Sequence, residues 1–374
     1  MPSVLAASVL TIKGRSNRGG ARTGSDVHID TCLYTYTLHN IILWVLVWVD
    51  DALIVDNDNP TRERFVGDLS KRFPTEDKGE LHWILNVAVV RDRKKRTLSM
   101  SQQLYIDDLV VKYGSHIPNH ARKYDTPFPE GVSLDLTDCP EVGSPAHDDM
   151  ADKRDTYCSL VGGFLWLANM TLPTLAYAAS QLARVLSNPG PTHYSLAMRV
   201  LAYLYGQRER TLTFAPDGNL PFQVLVDSNW ATKFSVSGAL YFYHGCLFYW
   251  FSKAQHSVSL SSAEAEFFGA MMAAREVLFD RDLFIELGIV VAGPTDILSD
   301  SQSAVGMAFD PISFKNTKHI MRAAEFLRDL VLKGHVILKH VPGTLMIADI
   351  LTKAPARATF IELVKLLDDY SRTP

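Results

Sequence analysis

The spacing of hydrophobic and polar positions changes several times along the chain and predicts a protein of the α/β class. Residues 33–55 carry apolar and β-branched side chains on both sides of Val49-Asp50-Asp51, which predicts a hairpin with two aspartates at its tip. The neighbouring segments predict helices over residues 60–73 and 103–113, strands over residues 81–90 and 97–100, and a charged turn over residues 91–96.

The pattern of apolar and polar residues changes twice in the middle of the chain. Residues 126–155 are rich in proline, aspartate and glycine and show no periodicity, so we expect a linker there. Residues 156–206 have apolar positions at helical spacing and predict a helical segment, which is interrupted at Pro189-Gly190-Pro191. The basic, glycine-rich residues 13–24 predict an unstructured tail over residues 1–24, with a nucleic-acid-binding arm as the alternative.

From residue 221 onwards, strand and helix patterns alternate. Strands are predicted over residues 222–230 and within residues 238–250, and a long helix over residues 262–287. A strand that ends at Ser299 leads into a helix, and the last elements are a helix over 318–333, a strand over 335–341 and a short apolar helix within 347–353. Strands joined by crossover helices are typical of an α/β domain, which we place at residues 221–374.

The composition is that of a folded intracellular protein. The chain has 374 residues, 47% hydrophobic and 21% charged, which excludes wholesale disorder and allows more than one domain. The net charge of -4 gives no global positive field for a nucleic-acid partner. The longest apolar run, residues 41–49, is too short to span a bilayer, so no membrane partner is expected. Four scattered cysteines and no secretory pattern predict a reducing compartment, cytoplasmic or nuclear.

Four acidic residues of the last third lie where strand and helix ends would bring them together. Asp227 closes a strand, Asp300 follows another strand, and Asp349 lies in the short apolar helix. Glu266 lies early in the long helix, where a capping box gives Glu264 a structural role instead. Hard divalent ions such as Mg²⁺ prefer carboxylate oxygens, and two such ions can promote phosphodiester hydrolysis. Each acid alone would be an ordinary cap or solvated charge, but the four in this order predict a metal site.

Seven blocks within residues 226–353 resemble, in order, the signature blocks of copia-type RNase H domains: VDSNW, SVSGA, SKAQ, LSSAEAEFFGA, LSDSQSA, NTKHI and IADILTK. The resemblance implies an RNase H-like mixed sheet with flanking helices. It also implies that Mg²⁺, with Mn²⁺ as an alternative, is held by the same four acids, Asp227, Glu266, Asp300 and Asp349. The implied activity is hydrolysis of the RNA strand of an RNA–DNA hybrid, which is recognised by backbone shape and 2′-hydroxyl groups.

Some positions depart from the family pattern. Ser228-Asn229 stands where the family usually has Ala-Asp, and Glu325 replaces a histidine in the helix after NTKHI. Glu325, together with further departures at Trp48, Asn86, Ala88, Leu172 and Thr174, leaves a catalytically silent nucleic-acid-binding protein, or a decayed element fragment, as the alternative function. We expect four basic side chains to contact nucleic-acid phosphates: Lys253, Lys318, His319 and Arg322. For Lys318 and His319, capping of the helix is the alternative role.

The first half of the chain resembles the C-terminal part of a copia-type reverse transcriptase. Trp48-Val49-Asp50-Asp51 is similar to the Tyr-Val-Asp-Asp box, and the flanking stretches DTCLY, GELHWILNVAV and LSMSQQLYIDDLV resemble those around it. YCSLVGGFLWLAN and SNPGPTHYSLAMRVLAYLYG resemble the segment that joins polymerase and RNase H. The resemblance implies a partial palm and thumb over residues 25–125, a helical connection over residues 156–215, and Mg²⁺ binding by Asp50 and Asp51.

We do not expect this chain to polymerise DNA alone. The family's first catalytic aspartate lies in a strand well upstream of the paired aspartates, together with the fingers that hold template and nucleotide. No residue before Asp50 is assigned to that position. A separate polymerase subunit that supplies the fingers is the alternative, and it would restore polymerisation only in a complex.

Overall fold

The computed structural model describes residues 6–12, 25–26, 30–116, 124–231, 234–255, 258–309 and 318–370, with only the backbone described for 6–12, 25–26 and 318–321. The chain divides into two units. One contains Met1–Lys95 and Leu278–Ala292, and the other contains Arg96–Val277 and Gly293–Pro374. Within the described residues, no helix is long and apolar enough to cross a membrane.

The first unit is built on an antiparallel sheet in the order β2-β3-β4-β5-β1-β6. Its elements are β1 (Ala6–Ile12), β2 (Ser25–Asp26), β3 (Leu33–Leu38), β4 (Ile41–Trp48), β5 (Asp51–Asp56), α1 (Asn59–Ser70), β6 (Thr75–Glu80), β7 (Trp83–Ile84) and β8 (Val87–Asp92). Buried side chains of β4 and β5, such as Leu43 and Ile54, pack against Phe65 and Leu69 of α1. One face of the sheet is therefore covered by that helix.

Three predictions for the first unit need correction. The tail prediction is wrong for residues 6–12, because β1 pairs with β5 on one side and β6 on the other, while residues 13–24 lie outside the described residues. The hairpin over residues 33–55 contains three strands, because His39 takes a φ of 55° and adds a second turn. The strand over residues 81–90 is a hairpin, because Leu85 and Asn86 have φ of 50° and 60°, as a primed two-residue turn requires.

The second unit combines helices with a mixed sheet. Its elements are β9 (Thr97–Ser101), α2 (Gln103–Tyr113), α3 (Pro145–Asp148), α4 (Arg154–Met170), α5 (Ala176–Arg184), α6 (Pro191–Gln207), β10 (Leu212–Phe214), β11 (Gln223–Asn229), β12 (Val236–Tyr243), β13 (Cys246–Ala254), α7 (Ser262–Glu286, which ends in the first unit), β14 (Thr295–Ser299), α8 (Gln302–Phe309), α9 (Lys318–Leu332), β15 (Val336–His340) and α10 (Arg357–Tyr370). The α/β class and the helical segment are confirmed, whereas β6, β10, α3 and α10 were not predicted.

The linker predicted over residues 126–155 is wrong, because this segment is packed into the core of the second unit. Phe128 and Leu134 are 2% and 5% exposed and belong to the same buried cluster as α4, α5 and α6. Side chains of α5 satisfy the segment's backbone: Gln181 Oε1 accepts the amide of Leu134 at 2.8 Å, and the Tyr177 hydroxyl donates to the carbonyl of Val132 at 3.0 Å. Bonds of this kind leave no periodic signal in the sequence.

The five-stranded sheet positions the acidic residues. Its order is β13-β12-β11-β14-β15, antiparallel from β13 to β11 and parallel from β11 to β15. Because β11 and β14 are parallel neighbours, their C-terminal ends meet at the same edge of the sheet. Asp349 lies in a short 3-10 helix, Ile347–Leu351, where the sequence predicted a short apolar helix.

Candidate metal centre

Three carboxylates from three elements converge at the C-terminal edge of β11 and β14. Leu225 pairs with Leu298 across these strands, so Asp227 and Asp300 each lie two residues beyond a paired position. Glu266 reaches the same place from the second turn of α7. One oxygen from each of the three carboxylates lies within 4.8 Å of the other two. Three of the four predicted acids therefore share one cluster.

Asp349 lies beside this cluster and interacts with Asp227. Burial first, and the Asp227 carboxylate second, raise the pKa of Asp349 to about 7. Lys353, one helical turn later, places its Nζ 2.8 Å from Asp349 Oδ1. Asp349 is thus adjacent to the cluster, although it is not within 4.8 Å of all three members.

Close backbone packing brings the Asp349 helix to this position. Gly238 in β12 is the cross-strand partner of Asp227, and a Cβ at Gly238 would overlap the Cβ of Leu351. The adjacent Thr352 is fully buried, and its hydroxyl donates a hydrogen bond to Asp227 Oδ2. The orientation of Asp227 is therefore fixed by a side chain from the same turn that carries Asp349.

The carboxylate cluster has more negative charge than the neighbouring basic groups can balance. Burial, followed by the charges of Asp227 and Asp300, raises the pKa of Glu266 to about 9. Burial and Asp227 also raise the pKa of Asp300, partly offset by Lys353 and His340. Burial lowers the pKa of Lys353, but Asp227, Asp349 and Asp300 together raise it by more. Among the described residues, the four carboxylates thus have the ammonium group of Lys353 as a nearby positive charge.

The residues present fit a hard divalent cation. Glu266 is 9% exposed, and its Oε2 is buried without a hydrogen-bond partner among the described residues. A buried carboxylate oxygen of this kind is costly unless a proton or a cation satisfies it. Mg²⁺ and Mn²⁺ prefer carboxylate oxygens, and the three acids offer one such atom each at mutually compatible distances.

The prediction that Ser261 and Glu264 cap the start of α7 is confirmed, and Glu264 reaches the amide of Leu260, one residue before the predicted partner Ser261. Ser261 Oγ accepts the backbone amide of Glu264 at 3.2 Å, and Glu264 Oε2 accepts the amide of Leu260 at 2.8 Å. Glu264 therefore satisfies the start of the helix, whereas Glu266 faces the carboxylate cluster.

The basic residues predicted to contact phosphates have different settings. Lys253 in β13 places its Nζ 3.8 Å from Glu276 of α7, so the structure gives this side chain an ion-pair partner. Arg322 in α9 is exposed. The side chains of Lys318 and His319 lie outside the described residues, and only their backbone in α9 is described.

Sequence analysis missed three residues beside the acids. Thr352 and Lys353 follow Asp349 by three and four residues, a spacing that returns to the same side of a helix and could have indicated them. His340, the last residue of β15, places its Nε2 3.1 Å from the carbonyl oxygen of Asp300, a contact that depends on the pairing of β14 with β15.

The second predicted pair of acids lies in the first unit. β4 and β5 form the expected hairpin, in which Trp48 pairs with Asp51 and Val49 has a φ of 54° at the turn. Asp50 is exposed at this tip. The strand next to β5 is β1, whose Thr11 pairs with Asp51 and whose sequence, AASVLTI, contains no acidic residue.

Two curated relatives are plant transposon polyproteins. The retrovirus-related Pol polyprotein from transposon TNT 1-94 of Nicotiana tabacum is 30% identical, over 93% of this chain and 26% of its own length. The retrovirus-related Pol polyprotein from transposon RE2 of Arabidopsis thaliana is 28% identical, over 88% of this chain and 22% of its own length. The chain therefore spans about a quarter of the length of these relatives. No protein-family model matches the chain.

Solved structures with lower similarity include a polymerase and a nuclease. The foamy viral protease-reverse transcriptase in complex with an RNA/DNA hybrid is 10% identical with a TM-score of 0.43, covering 90% of this chain and 44% of that chain. LC11-RNase H1 in complex with an RNA/DNA hybrid is 12% identical with a TM-score of 0.29, covering 35% of this chain and 93% of that chain.

Proposed function

Because the chain is a relative of the retrovirus-related Pol polyproteins of copia-type transposons, we propose that it is an RNase H-type endonuclease that cleaves the RNA strand of RNA–DNA hybrids. The observation that carries the proposal is the convergence of Asp227, Glu266 and Asp300 within 4.8 Å at one edge of the mixed sheet. Asp349, next to Asp227, completes the proposed set of catalytic and metal-holding residues.

In this proposal the acids hold Mg²⁺ or Mn²⁺, which supplies activation of water and stabilisation of charge on the phosphate. Asp227 and Asp300 are fixed by the ends of β11 and β14, and Glu266 is fixed by α7, so the ligand set is rigid before substrate binds. Thr352 holds the Asp227 carboxylate in one orientation through its hydroxyl. Because folding already places the ligands, no free energy is needed to arrange them during the catalytic step.

The proposed substrate is an RNA–DNA hybrid because the sequence blocks around the four acids resemble those of RNase H domains, and carboxylate-held divalent ions promote hydrolysis of a phosphodiester. A net charge of -4 makes general attraction to nucleic acid weak, so binding has to come from local contacts. Arg322 is exposed in α9 and is our candidate for a phosphate contact, together with Lys318 and His319 at the start of the same helix. Lys253, which pairs with Glu276, is the weakest of the four candidates.

We also propose that the chain does not polymerise DNA by itself. Asp50 and Asp51 retain their place at the tip of a hairpin, where they would hold Mg²⁺ in a complete polymerase. The strand that pairs with β5 supplies Thr11 opposite Asp51 and no carboxylate from residue 6 to residue 12. The third acid and the grip on the template would have to come from outside the described residues, and a separate polymerase subunit is one candidate.

The test is cleavage of a hybrid with a labelled RNA strand in Mg²⁺, comparing the wild-type chain with Asp300→Asn. We expect the substitution to abolish cleavage, because it removes a charged ligand of the cluster. Asp296→Asn is the matched control, since Asp296 lies on the same strand but pairs with Lys339, 2.6 Å away. Equal rates for wild type and Asp300→Asn would refute the proposal. Hybrid binding without cleavage by the wild-type chain would identify a silent binding protein.

A further inference from the structure

Helix α7 approaches β11 very closely at the metal centre. Glu266 and Gly269 are one turn apart on α7, and both face the C-terminal end of β11. A Cβ at Gly269 would overlap the hydroxyl oxygen of Ser228 and would lie 3.3 Å from the hydroxyl oxygen of Ser237. Ser228 directly follows Asp227, and its backbone amide favours the charged form of Glu266. This close approach of α7 to β11 is therefore next to the two carboxylates.

A buried polar network holds the helix at this distance. The hydroxyls of Ser228 and Ser237 lie 2.8 Å apart, and Gln255 Nε2 donates to Ser237 Oγ at 2.8 Å. The same amide donates to the carbonyl of Ala265 at 2.8 Å, so the network reaches the residue before Glu266. Ser228, Ser237 and Gln255 are 4%, 0% and 3% exposed. Satisfied networks of this kind fix the relative position of the elements that they join.

Packing against Ser228 explains the glycine at position 269. Glycine is a poor residue for a helix interior, where alanine is favoured if there is space. Gly306 in α8 shows the ordinary situation, because a Cβ there would meet nothing within 4 Å. At Gly269 the space that a methyl group needs is occupied by Ser228.

We propose that Ser228 and Gly269 are a matched pair of positioning residues that sets the separation of Asp227 and Glu266 and thereby the affinity for divalent metal. The inference deepens the proposed nuclease function and rests on it. A side chain at position 269 moves α7 away from β11 and carries Glu266 with it, whereas removing the Ser228 hydroxyl opens the space again. Ser237 keeps its bond from Gln255 when Ser228 is shortened.

The test compares Gly269→Ala, Ser228→Ala and the double variant in the full chain, with Gly306→Ala as the control for adding a methyl group to an exposed helix. Mn²⁺ binding is measured by calorimetry, the Mg²⁺ concentration for half-maximal hybrid cleavage by kinetics, and folding by thermal melting. We expect Gly269→Ala to weaken metal binding about 10- to 100-fold, the usual effect of disturbing a residue that supports metal ligands. The double variant should return to within about twofold of Ser228→Ala.

Several outcomes would overturn the inference. One is a Gly269→Ala variant that binds Mn²⁺ like wild type, and another is a double variant that stays as weak as Gly269→Ala. If Gly269→Ala does not fold, the double variant still decides, because the inference requires it to fold and to bind metal. A wild-type chain that binds Mn²⁺ without cleaving the hybrid would remove the nuclease proposal and leave the positioning pair intact. Hybrid cleavage that is insensitive to Gly269→Ala would refute the positioning pair and leave the nuclease proposal intact.

Discussion

Metal affinity should rise steeply with pH, because the carboxylates of the cluster hold protons that a cation must displace. Glu266 has a pKa of about 9 and Asp349 one of about 7. Between pH 6 and pH 8, easier displacement of the Glu266 proton by the cation strengthens apparent Mg²⁺ affinity about 100-fold, and loss of the Asp349 proton adds about 10-fold. The expected total is about 1000-fold, or roughly 4 kcal/mol at about 1.4 kcal/mol for each tenfold change.

Calorimetric titration with Mg²⁺ at pH 6, 7 and 8, in buffers of different ionisation enthalpy, gives both the affinity and the number of protons released. Glu266→Gln is the informative variant, because it removes the largest contribution to the slope and leaves that of Asp349. A wild-type affinity that is constant over this range, with no proton release, would refute the electrostatic reasoning.

The same pKa shifts determine whether the stability of the metal-free protein rises or falls with pH. Folding raises the pKa of Glu266 from the ordinary carboxylate range to about 9. The folded state therefore holds a proton that the unfolded state has lost, and stability falls as pH rises through this window. Melting temperatures without metal should decline from pH 5 to pH 9, Mg²⁺ should reverse the decline, and Glu266→Gln should flatten it. A melting temperature that rises with pH in this range would contradict the assignment.

Three further substitutions test the packing around the site. Thr352→Val should lower the free energy of unfolding by about 1.5–3 kcal/mol in urea titrations, because it removes a buried hydrogen bond to the Asp227 carboxylate, whereas Thr352→Ser should retain most of it. Gly238→Ala should destabilise by about 1–3 kcal/mol, since its Cβ would overlap Leu351, and an equally stable variant would show that the Asp349 helix packs elsewhere. Phe128→Ala should cost about 3–5 kcal/mol, while Leu136→Ala, at a 63% exposed position of the same segment, should cost little; equal small losses would restore the linker interpretation.

The carboxylate cluster was predictable because each acid follows a local pattern. Asp227 and Asp300 lie at the C-terminal ends of the apolar strands β11 and β14, which pair in parallel, so these ends meet. Glu266 was separable from Glu264 because capping has its own spacing. What this reasoning could not supply was the approach of α7 to β11, since the overlap between Ser228 and Gly269 joins residues 41 positions apart (269 minus 228).

The errors in the first half of the chain have a different physical cause in each segment. β1 is ordered by strands that begin more than 35 residues later, at Asp51 and Thr75, and periodicity within residues 1–24 contains no information about them. The composition of residues 126–155 predicts a linker, but their backbone groups bond to side chains such as Gln181 and Asn188, and such bonds produce no repeating pattern in the sequence. The turn at Leu85-Asn86 interrupts an apolar run without glycine or proline, so the strand pattern continued through it.

Asp227 is the residue on which the constraints of this site converge. Its carboxylate accepts the Thr352 hydroxyl, and its charge contributes to the raised pKa of Glu266, Asp300 and Asp349. These partners come from different elements, so the cluster exists only in the folded chain, and any cation that binds it stabilises the fold. At a metal concentration about 100 times the Kd, this stabilisation is about 2.7 kcal/mol. Folding therefore brings the carboxylates together at a cost that divalent metal offsets, which couples the stability of the domain to the chemistry proposed for it.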